Sequence, residues 1–290
     1  MEAFDYVAPR SLSEALAALG NGKRSLMLAC GTDVIVQLRE GRKHCDQLID
    51  LKHIPEMMAM AFAPDGSLNI GAAVPLAQIY EDPQVRAKLP ALVDAASIIG
   101  GTAIQSRASL GGNLCNASPA ADLSPALIVL CARLTIASPT GTREIPVEEF
   151  FAGPGRNTLQ PGELLVSVRI PAQPERSAAY YHRFIPRNEM DIAVASSGVR
   201  IELAADGSTI EGARVALGAV AATPIMVPAA GAALAGKPAG AEAFAAAGQA
   251  AADAATPIDD MRGIAQRKHL AKILTIRALE GALQRYREAR

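Results

Sequence analysis

Residues 107–123, RASLGGNLCNASPAADL, combine a pair of glycines with a run of small and polar residues. Because glycine has no Cβ, Gly111 and Gly112 predict a turn with positive φ that a ligand can approach closely. The serine–proline pair at 118–119 is typical of an N-cap and first helical position, and it predicts an apolar helix over 123–131. Unpaired N–H groups at such a turn and helix start bind phosphate, although a tight buried turn before a capped helix also fits these residues.

The side chains around this turn are neutral. No lysine or arginine occurs between Arg107 and Arg133. A phosphate bound here would therefore be held mainly by backbone N–H groups and by the side chains of Asn113, Asn116 and Ser118.

A second turn of the same kind lies upstream. The apolar residues 26–30 predict a strand, Gly31, Thr32 and Asp33 a turn, and residues 34–38 a helix. Such a connection is common in α/β proteins. Two phosphate-binding turns in one chain nevertheless indicate a long ligand with a diphosphate at its centre. The chain has neither a GxGxxG nor a GxxxxGK sequence, so the usual dinucleotide and P-loop fingerprints are lacking.

Length and composition narrow the class of protein. The 290 residues, 50% of them hydrophobic, favour two domains. A net charge of −1 without a basic cluster argues against a nucleic-acid partner. The N-terminus lacks a secretory signal and no apolar run reaches the roughly 18 residues of a membrane span, so we expect a cytoplasmic protein. The four cysteines show no metal-ligand spacing, which predicts free thiols and no metal site in this chain.

The predicted elements form an α+β protein. Ser11 and Glu14 form a capping-box sequence that begins a helix. A proline-rich stretch at 171–175 is the predicted domain boundary, and residues 1–58 and 59–175 are the two predicted lobes of the first domain. Residues 176–290 are predicted to form a sheet backed by helices. The further elements predicted are strands at 47–51, 67–70, 133–137, 143–147, 164–170, 178–184, 194–203 and 209–219, helices at 75–80, 83–99 and 262–287, and one or two packed helices within 230–255.

Long segments of the chain resemble a known family. GTDVIVQLREG at 31–41 and TAIQSRASLGGNLCNASPAADLSPAL at 102–127 are similar to the two FAD-binding motifs of the flavoprotein (medium) subunit of molybdenum hydroxylases, the family of xanthine dehydrogenase and aerobic carbon monoxide dehydrogenase. GELLVSVRIP at 162–171, RNEMDIAVASSGVRI at 187–201 and a closing helix within 260–279 extend the resemblance over nearly the whole chain. It implies a two-lobed FAD-binding domain of the vanillyl-alcohol-oxidase (PCMH) type followed by a C-terminal α+β domain.

The resemblance also implies site residues. Asp122 matches a residue on the adenosine side of FAD, and Leu165 and Ile99 match positions that pack near the flavin. Arg183 stands where relatives have a lysine close to the ring, and Asp191 lies in the loop at the reactive edge. The full set of residues implied to bind the cofactor is Met27, Leu28, Ala29, Cys30, Gly31, Thr32, Asp33, Val34, Ile99, Thr102, Ser109, Leu110, Gly111, Gly112, Asn113, Asp122, Leu165, Arg183 and Asp191.

Several of these residues have a plain structural alternative. Asp122 also fits a carboxylate in the first turn of a helix, and Ile99 and Leu165 also fit core positions. An ion pair with Arg187 also explains Asp191. Cys30 replaces the first glycine of the family's usual GGTD, which reduces backbone freedom in that loop.

No catalytic side chain and no metal ligand are predicted, because the cofactor carries the chemistry. None of the four histidines lies in the FAD motifs, so FAD is expected to bind non-covalently. The cysteine-rich insertion of the hydroxybenzoyl-CoA-reducing relatives is missing, and the extra iron–sulfur cluster is therefore not expected.

The resemblance implies an oxidoreductase subunit that relays electrons. Substrate would be hydroxylated at molybdenum in a large molybdopterin subunit, and electrons would pass through two 2Fe–2S clusters of a small subunit to FAD. Reduced FAD would then transfer them to NAD, a quinone, O2 or another acceptor. The expected assembly is a dimer of heterotrimers.

Two other functions fit the sequence. A stand-alone FAD oxidoreductase would need an acid or base over the ring, for which Tyr180, Tyr181 and His182 are candidates. A non-enzymatic interaction protein would use the glycine turns only for structure.

Overall fold

The computed structural model describes residues 2–260 and 263–289. The chain begins with a lobe built on a three-stranded parallel sheet in the order β1-β3-β2. Ser11 caps its first helix, since Ser11 Oγ accepts a hydrogen bond from the N–H of Glu14 at 3.2 Å. The elements of this lobe are β1 (Asp5–Val7), α1 (Leu12–Leu19), β2 (Ser25–Leu28), α2 (Val34–Arg39), β3 (Gln47–Asp50) and, after a 3-10 turn at Leu51–His53, α3 (Pro55–Met58).

The second lobe contains a five-stranded antiparallel sheet in the order β4-β5-β10-β6-β7. Its elements are β4 (Met60–Phe62), β5 (Leu68–Gly71), α4 (Leu76–Glu81), α5 (Pro83–Lys88), α6 (Pro90–Ala96), α7 (Thr102–Gln105), α8 (Leu110–Asn116), α9 (Leu123–Val129), β6 (Arg133–Ser138), β7 (Gly141–Pro146), β8 (Phe151–Gly153), β9 (Arg156–Asn157) and β10 (Leu164–Ile170). The last strand of this lobe, β10, lies between β5 and β6 and pairs with both.

The C-terminal part is a four-stranded antiparallel sheet in the order β11-β12-β13-β14, backed by helices. Its elements are β11 (Ser177–Phe184), β12 (Ala195–Leu203), β13 (Ile210–Gly218), β14 (Ile225–Met226), α10 (Pro228–Leu234), α11 (Ala241–Ala254) and α12 (Ile264–Glu288). Helix α12 packs on β11 and β12, and α11 packs on α12. The predicted α+β class, with its sheet backed by helices, is confirmed. Arg262, the predicted first residue of the last helix, lies outside the described residues.

Helix α9 lies between the C-terminal sheet and helices of the second lobe. Its residues and the following Leu130 are 0–1% exposed, and it packs against β12 and β13 on one side and against α6 and α8 on the other. The approach to the C-terminal sheet is close at Gly198, where a Cβ would lie 2.7 Å from the carbonyl oxygen of Pro125. A glycine in this strand is therefore required by packing.

The start of α9 differs from the prediction. The helix begins at Leu123 with Asp122 as its N-cap residue, four residues after the predicted proline start. Ser118 Oγ instead accepts a hydrogen bond from the N–H of Ala120 at 3.3 Å and closes a turn before the helix. The serine–proline pair therefore forms a turn closed by the serine side chain. Such turns favour the same residue types as a helix N-cap, so the sequence alone does not distinguish them.

The predicted helix over 83–99 is two helices. It breaks at Leu89 because Pro90 has no N–H to continue the ladder and restricts the residue before it. The short elements β1, α3, β4, α7, α8, β8, β9 and β14 were not predicted. Within the described ranges, no helix is long and apolar enough to cross a bilayer.

Replacing Gly198 by alanine tests the packing of α9 on the C-terminal sheet. We expect Gly198→Ala to lower the free energy of unfolding by about 1–3 kcal/mol, because the new methyl group overlaps backbone atoms of Pro125 that cannot rotate away. Gly212→Ala on the neighbouring strand is the control, since its Cβ would have ordinary contacts of 3.6 Å or more. Urea unfolding of both variants measures the difference, and equal stabilities would contradict this account of the interface.

Candidate functional site

A cavity of about 440 Å³ lies between the two lobes of the first part of the chain. This volume falls in the range of roughly 300–1,000 Å³ that small-molecule sites occupy. Its walls come from segments that are far apart in sequence: residues 25–27 and 29–34 with Gln37 and Lys43, Leu51, Met57, Ala72, Ile99 and Ile104, residues 108–109, 111–113 and 115–116, Asn157 and Leu159, and residues 163–165.

The first wall is the loop between β2 and α2. Gly31 has φ +81°, and this left-handed conformation turns the chain between the strand and the helix. The four N–H groups of residues 30–33 donate no hydrogen bond to any acceptor within residues 2–260 and 263–289. The loop therefore presents a set of unused backbone donors to the cavity, which suits an anionic group.

The second wall corrects the predicted glycine turn. Gly111 and Gly112 lie in the first turn of α8 with ordinary helical φ values, and Ser109 is the N-cap residue. Their N–H groups are already used: that of Gly111 bonds the carbonyl oxygen of Ala72 at 2.9 Å, and that of Gly112 bonds Ser109 Oγ at 3.1 Å. The prediction of free backbone donors with positive φ here is wrong.

Close packing explains the first of these glycines. A Cβ on Gly111 would lie 2.5 Å from both the Cβ and the carbonyl oxygen of Ala72. The glycine lets α8 approach the second lobe closely enough to close the cavity. The free polar group on this wall is a side chain, since Asn113 Oδ1 is buried and accepts no hydrogen bond from the described residues.

Most of the predicted site residues line this one cavity. Those that do are Met27, Ala29, Cys30, Gly31, Thr32, Asp33, Val34, Ile99, Ser109, Gly111, Gly112, Asn113 and Leu165. The remaining six do not. Of these, Leu28 packs against the small core of the first lobe, Leu110 is fully buried in the main core, and Thr102 is exposed at the start of α7.

Asp122 and Arg183 were assigned to opposite ends of a cofactor, but the structure joins them to each other. Arg183 Nη1 donates to Asp122 Oδ2 at 2.8 Å, and Tyr181 Oη donates to Asp122 Oδ1 at 2.6 Å. Burial raises the pKa of Asp122, while the Arg183 charge and the two hydrogen bonds oppose that rise. The two residues form a buried contact between the second lobe and the C-terminal sheet and do not line the cavity.

Asp191 lies in the exposed loop between β11 and β12, outside the cavity lining. Its carboxylate pairs with Arg187, with Nε and Oδ2 3.3 Å apart, and hydrogen bonding to Arg187 lowers its pKa. The structural alternative for Asp191, an ion pair that braces its own loop, is therefore what the structure shows.

Several lining residues were missed from the sequence. Lys43 is the clearest, because the other residues found to line the cavity include the carboxylates of Asp33 and Glu163 but no lysine or arginine. Gly41 has φ +70° and reverses the chain after α2, and the N–H of Lys43 bonds the carbonyl oxygen of Gln37 at 3.2 Å. A glycine directly after a helix is the signal that could have placed Lys43 beside α2.

Asn157 of the small β8–β9 hairpin also reaches the cavity, where its Nδ2 donates to the carbonyl oxygen of Cys115 at 2.9 Å. This hairpin gave no sequence signal beyond its glycines.

The two thiols of the cavity are not activated nucleophiles. Burial raises the pKa of Cys115 to about 12, and burial also raises the pKa of Cys30. Both side chains are therefore neutral thiols near pH 7. Within the described ranges, no group of three or more His, Cys, Asp or Glu side chains is arranged to hold a metal ion. The cavity is a binding site with polar donors and apolar walls, without a catalytic dyad.

The comparisons with known proteins define the class. Residues 2–173 match the family described as FAD binding domain in molybdopterin dehydrogenase, and residues 179–282 match the CO dehydrogenase flavoprotein C-terminal domain. The chain belongs to the FAD-binding flavoprotein family of the molybdopterin dehydrogenases.

The relatives cover most of the chain. The xanthine dehydrogenase FAD-binding subunit of Escherichia coli O157:H7 is 34% identical over 76% of this chain and 75% of that protein. The carbon monoxide dehydrogenase medium chain of Hydrogenophaga pseudoflava is 31% identical over 97% of this chain and 98% of that protein. A solved structure of carbon monoxide dehydrogenase from Hydrogenophaga pseudoflava, which lacks the Mo-pyranopterin moiety of its molybdenum cofactor, superimposes with a TM-score of 0.93 at 31% identity over 98% of each chain. The predicted family, oxidoreductase class and FAD cofactor are thereby confirmed.

The chain's own residues fit FAD. The unused N–H groups of residues 30–33 and the free Asn113 Oδ1 match the diphosphate and polar groups of a dinucleotide. Ile99, Ile104 and Leu165 give the cavity an apolar part suited to a flat ring.

Replacing Gly31 by alanine tests the first loop. The new Cβ would lie 2.9 Å from Ile35 Cγ1 and 3.0 Å from Leu28 Cδ1, in addition to its positive φ. We expect Gly31→Ala to bind FAD at least tenfold more weakly. Gly22→Ala is the control, because Gly22 has a positive φ but no atom within 4 Å of its Cβ position, and it does not line the cavity. FAD content per chain and titration of the FAD-free chains measure the effect, and an equal loss in both variants would point to general strain.

Proposed function

We propose that this chain holds FAD non-covalently in the cavity between its two lobes and relays electrons from the iron–sulfur clusters of a partner subunit to an external acceptor. The observation that carries the proposal is the meeting of residues 29–34 with residues 109–113 at one cavity. These stretches are distant in sequence, and the first of them leaves the N–H groups of residues 30–33 without an acceptor among the described residues.

The residues proposed to hold the cofactor are those that line the cavity. Residues 30–33 would bind the diphosphate through their N–H groups, and Lys43 would add a positive charge that the other residues lining the cavity do not supply. Asn113 would accept a hydrogen bond from the cofactor, and Ile99 and Leu165 would pack on its apolar part. When bound, FAD supplies the one- and two-electron chemistry that no side chain of the cavity can provide.

The chain's contribution to the reaction is therefore to bind, orient and shield. The neutral thiols of Cys30 and Cys115 keep charge away from the cofactor, since burial raises both pKa values. The cavity walls exclude water from one side of the bound group, which strengthens the hydrogen bonds made there.

We further propose a dimer of heterotrimers with a small iron–sulfur subunit and a large molybdopterin subunit, in the cytoplasm. Support for these partners comes from the carbon monoxide dehydrogenase relative, which is a medium chain and whose enzyme has a molybdenum cofactor with a Mo-pyranopterin moiety that the solved structure lacks. We also propose two domains, 1–175 with lobes 1–58 and 59–175, and 176–290. Their support is the sequence break between the end of β10 and the start of β11.

A stand-alone FAD oxidoreductase acting on its own substrate is the alternative. It would need Tyr180, Tyr181 or His182 over the ring, yet none of the three lines the cavity. Tyr181 is buried, and its hydroxyl group donates a hydrogen bond to Asp122. The ring of Tyr180 lies against Gly281, and the guanidinium group of Arg285 lies over that ring. The side-chain placement therefore favours electron relay over a self-contained reaction.

Purification of the native protein tests the relay. We expect a yellow chain that releases close to one FAD on heating or acid treatment and that co-purifies with iron–sulfur and molybdenum chains. Reduction of the complex by its substrate should bleach the flavin only when those chains are present. A chain that binds one FAD but purifies alone, and oxidises a substrate by itself, would instead establish the stand-alone enzyme.

Replacing Asn113 by alanine separates binding from stability. Because Asn113 Oδ1 has no acceptor role within the described protein, Asn113→Ala should change the stability of the FAD-free chain by less than about 0.5 kcal/mol. The dissociation constant for FAD should rise about 5- to 15-fold, the value of one hydrogen bond. Asn69→Ala, at an exposed position of β5, is the control. Unchanged FAD affinity in Asn113→Ala would remove this residue from the proposed site.

A further inference from the structure

The charged side chains that line the cavity do not balance. The carboxylates of Asp33 and Glu163 both line it, whereas Lys43 supplies the single ammonium group of the lining. Counted by themselves, these side chains leave the lining with more negative than positive charge. The diphosphate of FAD adds further negative charge, and like charges repel at close range. A cavity for this ligand therefore needs a further cation.

One of the two carboxylates has such a partner. Arg143 Nε donates to Glu163 Oε1 at 2.7 Å, and Arg143 Nη2 donates to Glu163 Oε2 at 2.7 Å. The N–H of Gln160 also donates to Oε2, at 2.7 Å. Hydrogen bonding to Arg143 lowers the pKa of Glu163, so the carboxylate is ionised near pH 7. Both of its oxygens are thus occupied by donors of the protein itself.

The arginine approaches this carboxylate from outside the cavity. Arg143 lies on the edge strand β7 opposite Ile136 of β6, and Ile136 lies opposite Leu165 of β10. Residues that are directly opposed on antiparallel strands point to the same face of the sheet. Two strand spacings separate Arg143 from Leu165 by about 10 Å. Leu165 and Glu163 line the cavity and Arg143 does not.

The two partners differ in burial. The Glu163 side chain is 11% exposed and that of Arg143 is 38% exposed. Water and salt screen a buried charge poorly, so the Glu163 carboxylate would act strongly on a neighbouring anion if its partner were lost. Within residues 2–260 and 263–289, Arg143 is the only cation that forms an ion pair with Glu163.

We infer that Arg143 is a charge-balancing residue of the FAD site. It cancels the charge of the Glu163 carboxylate from outside the cavity, so that this wall does not repel the diphosphate. The inference rests on the proposed function, since it takes FAD as the occupant of the cavity. Arg143 acts through Glu163 and is not itself part of the lining.

The ion pair also has a packing role that the test must separate from its charge. Arg143 Nη2 bonds the carbonyl oxygen of Thr158 at 3.3 Å, and so attaches the turn before β10 to the edge of the sheet. Arg143→Gln and the double variant Arg143→Gln/Glu163→Gln both lose the guanidinium and this contact. They differ in the charge at position 163. A difference between them therefore reports that charge and not a loosened wall.

Titration of the FAD-free full-length chain with FAD measures the effect. The dissociation constant should rise about tenfold in Arg143→Gln, because an unpaired carboxylate then faces the cavity. In the double variant it should return to within about threefold of wild type, because the repelling charge is gone. Wild-type affinity in Arg143→Gln overturns the inference. A double variant that binds FAD as weakly as Arg143→Gln overturns it as well.

Arg169 provides a matched control. It lies on β10 of the same sheet, it forms an ion pair with Asp65, and its side chain is 41% exposed, close to the value for Arg143. Neither Arg169 nor Asp65 lines the cavity. Arg169→Gln should bind FAD as wild type does. A loss of affinity equal to that of Arg143→Gln would show that any broken ion pair of the sheet weakens binding, and would overturn the inference.

Urea unfolding of the FAD-free chains establishes that the variants fold. If Arg143→Gln does not, Glu163→Asp replaces it, because the shorter side chain keeps its charge but cannot meet both nitrogens of the guanidinium in the same geometry. Its dissociation constant for FAD should rise about fivefold, and wild-type affinity would overturn the inference. A wild-type chain that fails to bind FAD would instead refute the proposed function.

Discussion

The burial of α9 on every side is the constraint on which the rest of the molecule depends. A helix whose residues are 0–1% exposed must be covered by more than one layer, and here the second lobe and the C-terminal sheet each cover one side. The apolar surface that α9 shares with both layers explains why the two cores lie so close together. Small residues make the approach possible, as Gly198 and Gly218 do where the sheet meets Pro125.

Burial of this helix also leaves polar groups to be satisfied, because the last carbonyl groups of a helix have no hydrogen-bond partner within it. The C-terminal sheet supplies some of them. Arg214 bonds the carbonyl oxygen of Ile128 near the end of α9, while Asp122 at its start is bonded by Tyr181 and Arg183. The contact between the two parts thus has an apolar centre with charged groups at both ends. That arrangement fixes orientation, since a buried carboxylate and guanidinium tolerate little displacement.

The sequence was sufficient for the elements with a strong local pattern. The long strands of both large sheets, the capping of α1 and the strand–turn–helix at Gly31 follow from periodicity, side-chain capping and the freedom of glycine. Elements of two to four residues, such as α7 and β9, are too short to have a period. The glycine pair at 111–112 was misinterpreted because a glycine needed for close helix packing looks the same in sequence as one needed for positive φ.

The site was predictable where it lies in continuous motifs and not where it depends on tertiary contacts. Residues 29–34 and 109–113 were found from local sequence and resemblance, whereas Lys43 and Asn157 reach the cavity through chain reversals. The pairing of Asp122 with Arg183 joins the start of α9 to β11, and no local pattern shows it. The family resemblance assigned both residues to the cofactor site but to opposite ends of it, because a resemblance in sequence aligns positions and does not show which side chains touch each other.

The position of β10 has a consequence for how the protein is made. This strand pairs with β5, about a hundred residues earlier, and with β6, so the five-stranded sheet has a gap at its centre until residue 170 is available. Leu164 and Leu165 of the same strand line the cavity. During synthesis the two motif loops leave the ribosome before β10, so the cavity lacks one of its walls until the second lobe is complete. The strand order alone therefore makes this cavity one of the last features of the second lobe to form.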